Sequence, residues 1–180
     1  MENVKKGFTL IELLIVIGIL GIIIAAVLLA INPANAQRKA RDAQRLKDLG
    51  TLQTIMDQLV AENTLTADLD VNSGTVTTPA CSASGWLGID VCNYASKLPI
   101  DPTNKSTSIA GTAGAGACTT TLSAGNAFYY IKYQASTNTY EINVRQESAS
   151  NCNQLTSDNG SSNRFVEVGT ATGLTLIGDL

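Results

Sequence analysis

Apolar residues in this 180-residue chain are gathered at one end. From Leu13 to Ile31, nineteen consecutive positions carry no charge, and glycine is the only residue type among them that is not strongly apolar. A helix of that length spans roughly 28 Å, close to the hydrocarbon thickness of a bilayer. Beyond it, Leu46, Leu49, Leu52, Met56 and Leu59 recur at three- and four-residue spacing. Arg45, Lys47, Asp48, Asp57 and Glu62 fall mostly on the other faces, the pattern of an amphipathic helix. One long helix is therefore predicted from about Phe8 to about Leu65. Asn32-Pro33 should kink or open it, because proline brings no amide donor and disfavours helix at the residue before it.

The pattern weakens between residues 66 and 127, where Gly, Ser, Thr and Ala dominate and residues 110–117 read as a flexible loop. Trp86, beside Gly85 and Leu87, reads as a small core anchor, and Leu98-Pro99-Ile100-Asp101-Pro102 as a restricted turn. Strand signals follow. Phe128 to Gln134 is rich in strand formers, and Tyr140, Ile142 and Val144 alternate with Glu141, Asn143 and Arg145. Ala135 to Asn138 suits a hairpin, and Arg164 to Val168 a third strand. The expected class is α+β: a long N-terminal helix whose distal half packs on a small antiparallel sheet, the other sheet face meeting solvent.

Composition narrows the chemistry. The net charge of −3 is small, and from Thr66 onward five basic residues stand against nine acidic ones, so no nucleic-acid surface is indicated. The chain has no histidine, which removes the commonest general base and metal ligand, and no catalytic site is expected. Cys81, Cys92, Cys118 and Cys152 show no CxxC spacing. An even number in an exported domain suggests two disulfides with three possible connectivities. The short loop between the first two favours Cys81–Cys92 with Cys118–Cys152; four free buried thiols is the other reading.

Glu12 is the anomaly, a carboxylate near the start of an apolar helix that needs a named partner. Lys5-Lys6-Gly7-Phe8-Thr9-Leu10-Ile11-Glu12 followed by Leu13-Leu14-Ile15-Val16-Ile17 strongly resembles the prepilin cleavage and methylation signal shared by type IV pilins and the pseudopilins of type II secretion. The resemblance covers roughly residues 5 to 31. It implies that a prepilin peptidase cuts after Gly7 and methylates the new amino group of Phe8, and that Glu12 pairs with the Phe8 amino terminus of a neighbouring subunit. It also implies a pilin-like fold, with residues 1–7 a leader, 8–31 a transmembrane and assembly helix, 32–65 its amphipathic half, and 66–180 a globular head. The Leu98–Pro102 segment resembles an element of major pseudopilins and many short pilins, with Thr103 where an aromatic often follows.

The implied partners are identical or homologous pilin subunits, the peptidase and methylase, an inner-membrane assembly platform, and membrane lipid before assembly. The implied location is a single pass through the cell membrane with the N-terminus cytoplasmic, then an extracellular pilus or a periplasmic pseudopilus. No cofactor is required. Major pseudopilins are known for a calcium loop, and the oxygen-rich run from Ser157 to Ser161 makes Asp158, Asn159 and Asn163 candidates, although ordinary polar turns look alike. Two features run the other way. Ala34-Asn35-Ala36 has the small-x-small form of a signal-peptidase site, which would release a soluble binding module starting at Gln37. Arg38, Lys39, Arg41, Arg45 and Lys47 also outnumber the two lysines before the helix, against the positive-inside rule.

Overall fold

The computed structural model describes residues 7–75, 79–104, 129–148, 152–161 and 165–177. By contact pattern the chain forms two units, Met1–Gln37 and Arg38–Leu180.

The first contains α1 (Leu10–Ile31) and the opening of α2 (Pro33–Ala61). The predicted interruption is one residue long. Asn32 takes a left-handed conformation (φ 45°, ψ 80°), which asparagine tolerates better than most residues. Pro33 then stands at the first position of α2, where its missing amide costs nothing. The Asn32 side chain accepts from Asn35 N at 3.4 Å, helping to restart the ladder. At its far end α2 stops short of the predicted Leu65. Asn63 is left-handed (φ 51°), and Thr64 N donates back to Leu59 O at 3.1 Å, a glycine-type C-cap carried by asparagine.

In the second unit β1 (Leu69–Asn72), β2 (Tyr130–Gln134), β3 (Thr139–Arg145) and β4 (Phe165–Gly169) form one antiparallel sheet in that order, with a short α3 (Cys152–Ser157) before β4. This is the expected α+β class. The hairpin turn falls on residues 135–138, with Asn138 supplying the positive φ of 53°. β1 had no legible signal in the sequence. Phe128 and Arg164, expected as strand starts, lie outside the described residues, as does the 110–117 segment. Leu52, Ile55, Met56 and Leu59 of α2 meet Ile131, Tyr133, Tyr140 and Ile142 in one core. Trp86 joins it, 5% exposed, its Nε1 donating to Pro99 O at 3.0 Å.

Two expectations are corrected. Arg45 and Asp48 are not on outer faces of α2: Arg45 and Asp42 are fully buried and Asp48 nearly so. Arg45 donates through Nε and Nη2 to both Asp101 oxygens at 2.6 and 3.0 Å, and its Nη1 lies 3.1 Å from Asp42 and 2.6 Å from Glu147. Glu147 also holds Arg41, and Asp42 accepts from the amides of Glu147 and Ser148. A buried cation costs several kcal/mol unless it is paired, and here it is paired threefold. Asp101 further accepts from Thr103 N and Oγ1, so the Leu98–Pro102 segment is pinned by Leu98 in the core and Asp101 on the guanidinium.

Secondly, the outer sheet face does not meet solvent along β3. Glu141, Asn143 and Arg145 are as buried as the tyrosine and aliphatics between them. After β4 the chain turns back: Thr170 N and Ala171 N donate to Tyr140 O, then Leu176 N reaches Glu141 Oε2 at 2.6 Å. Gly169 permits the close return, since a Cβ there would lie 2.1 Å from Tyr140 O. The sequence alternation identified the strand correctly, yet Glu141 on its outer side is met by a segment that pattern alone does not place.

Burial alone would raise the carboxyls of Asp101 and Glu147, but the arginines hold both below their ordinary values. Groups with depressed folded values contribute stability above the unfolded carboxylate range of about pH 4, and lose it as pH falls below. Denaturant unfolding of the full chain in detergent should therefore weaken progressively below about pH 4. Arg45→Met should cost about 3–5 kcal/mol at neutral pH, because it strands buried carboxylates. Relative to the parent, that variant should recover stability on acidification; a parallel pH profile would refute the pairing.

Candidate functional site

Residues 7–9 precede the first turn of α1 without being helical. Thr9 is the N-cap, extended at φ −81° and ψ 152°, and its hydroxyl accepts from Glu12 N at 3.3 Å. Glu12 returns the contact, its Oε2 accepting from Thr9 N at 2.9 Å and from Thr9 Oγ1 at 2.7 Å. This reciprocal pair is a capping box, satisfying amides that a helix start leaves without partners. A carboxylate at this end also faces the positive pole of the helix dipole. Glu12 thus has partners in its own chain, whereas sequence reading sought only a cation from elsewhere. The Thr-x-x-Glu spacing was the signal that could have revealed them.

The rest of α1 has a single character. Leu10–Leu28 is long and apolar enough to cross a membrane, none of it buried within its own chain. Phe8 is 85% exposed, and large aliphatics are exposed on every side as far as Leu28. A helix apolar all round requires lipid or other helices as its surroundings. Gly7 has open space about it and no positive φ, so nothing in the described fold demands glycine there. Ala34 to Ala36, the small-x-small site, lies inside helical α2.

The other candidates are far from Glu12 in sequence and sit in the second unit. Cys81 and Cys92 are disulfide-bonded with Cα atoms 4.8 Å apart, and Val91 N donates to Cys81 O inside the closed loop. Cys118 lies outside the described residues, so its pairing with Cys152, in α3, does too. Asp158 uses both oxygens on backbone amides, Gly160 N at 3.0 Å and Glu167 N at 2.8 Å, tying the turn to β4. Asn159 is exposed and left-handed at φ 64°. Asn163 lies outside the described residues. Among the described residues no three His, Cys, Asp or Glu side chains are grouped to hold a metal ion.

Residues 3–28 match the family model of the prokaryotic N-terminal methylation motif. The chain therefore carries the prepilin-type cleavage and methylation segment found in type IV pilins and pseudopilins. No curated protein and no solved structure matches the chain.

Thr9→Val should remove both hydroxyl contacts of the box while keeping side-chain bulk. Hydrogen exchange in detergent should show the Glu12 amide losing protection, with Thr9→Ser close to the parent. Equal exchange in all three proteins would mean the cap contributes nothing.

Proposed function

We propose that this chain is the structural subunit of a type IV pilus-like filament, exported as a prepilin, cleaved after Gly7, N-methylated on Phe8 and polymerised through α1. The observation that carries the reading is the methylation motif over residues 3–28, a span that includes Gly7, Phe8 and Glu12. The local structure supports it in three ways. Residues 7–9 are not helical, leaving the Gly7–Phe8 bond open to a protease that needs backbone access. Gly7 serves no packing role in the described chain, so its requirement is sought outside the fold. Both Thr9 contacts converge on Glu12 Oε2, leaving Oε1 for a donor from a second chain.

In this reading cleavage creates an ammonium on Phe8 of each subunit, and Glu12 of a neighbour accepts it. In hydrocarbon the attraction is far stronger than in water, and an ionised group without a partner is correspondingly costly. The Thr9 capping box keeps the carboxylate tolerable while the subunit waits in the membrane; the neighbour's ammonium then fixes axial register. The partners are a prepilin peptidase and methylase, further pilin-type subunits and a membrane assembly platform. A periplasmic pseudopilus of type II secretion is the second reading, favoured by the Leu98–Pro102 segment with Asp101 seated on Arg45.

Mass spectrometry of the mature protein should find a first residue of Phe8 carrying one added methyl group. A start at Gln37 would support the secreted module instead, and an intact Met1 would leave an uncleaved anchor. Glu12→Ala should remain in the membrane yet form no filaments by electron microscopy, and normal filament yield from it would remove the role given to Glu12. Long external fibres bearing this chain decide for a pilus over a pseudopilus.

A further inference from the structure

The outer face of the sheet has a feature that neither α1 nor its processing uses. Asp70, Lys132 and Glu141 form one row across β1, β2 and β3, set by the register Asp70↔Lys132↔Glu141. Along that row runs a groove of about 420 Å³ lined by Asp68, Asp70, Lys132, Gln134, Thr175 and Leu176. A smaller hollow of about 130 Å³ shares Asp70 and Lys132 and reaches Tyr130 and Ile177. Among the described residues its charge is unbalanced. Lys132 lies 3.7 Å from Asp70 in an exposed, loose pair, and Asp68 gives only Oδ1 to Ala135 N. Glu141 is fully buried; its Oε2 takes the amides of Leu176 and Ile177, residues of the groove walls. Its Oε1 is buried with no hydrogen-bond partner among the described residues. Among the described residues that line the groove, the carboxylates of Asp68 and Asp70 thus face the single ammonium of Lys132, a balance that favours a further cation on a long, thin stem.

The opposite side of the same unit offers such cations. On α2 the exposed stripe runs Lys39, Ala43, Lys47, Gly50, Thr54, at spacings of four and three residues. Its only charges are the two lysines, roughly 12 Å apart along the helix. Between and beyond them the surface is low: Ala43 is small, Gly50 has nothing within 4 Å of a built Cβ, and Thr54 turns its hydroxyl back to Gly50 O. A partner can approach this stripe closely, with the lysines standing out of it.

We propose that the groove beside Lys132 receives the Lys39–Lys47 stripe of a second copy of this chain. Donor stripe and acceptor groove are different surfaces of one molecule, so the contact is heterologous. Repeated without closure, it generates an open helical array. The inference rests on the filament reading and adds a second bond to it, between heads rather than between membrane helices. Complementary charge of this kind sets orientation and register more than raw affinity. One surface cation per subunit would be held where Asp68 and Asp70 outnumber Lys132.

The test uses the full chain in its membrane and in sheared filaments. Carbodiimide crosslinking of mixed isotope-labelled and unlabelled copies should join Lys39 or Lys47 of one copy to Asp68 or Asp70 of another. Charge reversal by Asp68→Lys with Asp70→Lys, or by Lys39→Glu with Lys47→Glu, should lower filament yield at least about tenfold, because like charges then face each other. Combining both reversals should restore yield, which a misfolded head would not do. Filaments unaffected by either reversal, or not restored by the combination, overturn this contact and leave the filament reading standing. Crosslinks from the groove to a different protein overturn the choice of a second copy. A wild-type chain giving neither filaments nor crosslinks between copies overturns both readings.

Discussion

The head is organised around a cation that cannot reach water. Arg45, fully buried on α2, has more N–H donors than its own helix satisfies, since Asp42 meets only its Nη1. It draws in Asp101 from the loop region and Glu147 from just beyond β3. These residues are 56 and 102 positions away, so a single guanidinium closes two long excursions of the chain. Arginine suits the task, because its planar fork presents several donors at fixed angles, and both Asp101 oxygens are met in parallel. Apolar residues of similar volume in place of the whole ionic cluster could stabilise the core as well, but they would not specify which loop lies on which turn of α2.

The same network bears on the charge distribution that ran against the expected membrane orientation. Of the five basic residues soon after α1, Arg45 is buried and neutralised, and Arg41 is paired with Glu147. They are parts of a folded domain rather than free loop charges. A count of lysines and arginines beside a membrane span treats them all alike, and the fold separates those that hold the head together from Lys39 and Lys47, which remain exposed.

The two units differ in composition and satisfy their polar groups differently. α1 is apolar all round, and its one carboxylate is absorbed into a capping box at the end, where amides need acceptors. The second unit covers its two sheet faces with different material. It uses the aliphatics and tyrosines of alternate β2 and β3 positions against α2, and a returning C-terminal segment over Glu141 on the other face. The Cys81–Cys92 bridge secures a further loop that places Trp86, Leu87 and Val91 in the core.

Features that depend on near neighbours were legible in the sequence. The apolar span, the break at Asn32-Pro33, the β2–β3 hairpin and the methylation motif all express interactions within a few residues or a single periodicity. Thr9-x-x-Glu12 was equally local and could have been read as a capping box. Other features were decided only by the tertiary structure. A charged residue on an amphipathic helix reads as exposed, and Arg45 was so assigned, because its partners 56 and 102 residues away leave no periodic trace. Alternation along β3 correctly marked a strand but could not show that residues 170–177 return to bury Glu141. Hydrophobic period reports which face of an element is apolar; whether a polar face is wet depends on where the rest of the chain lies.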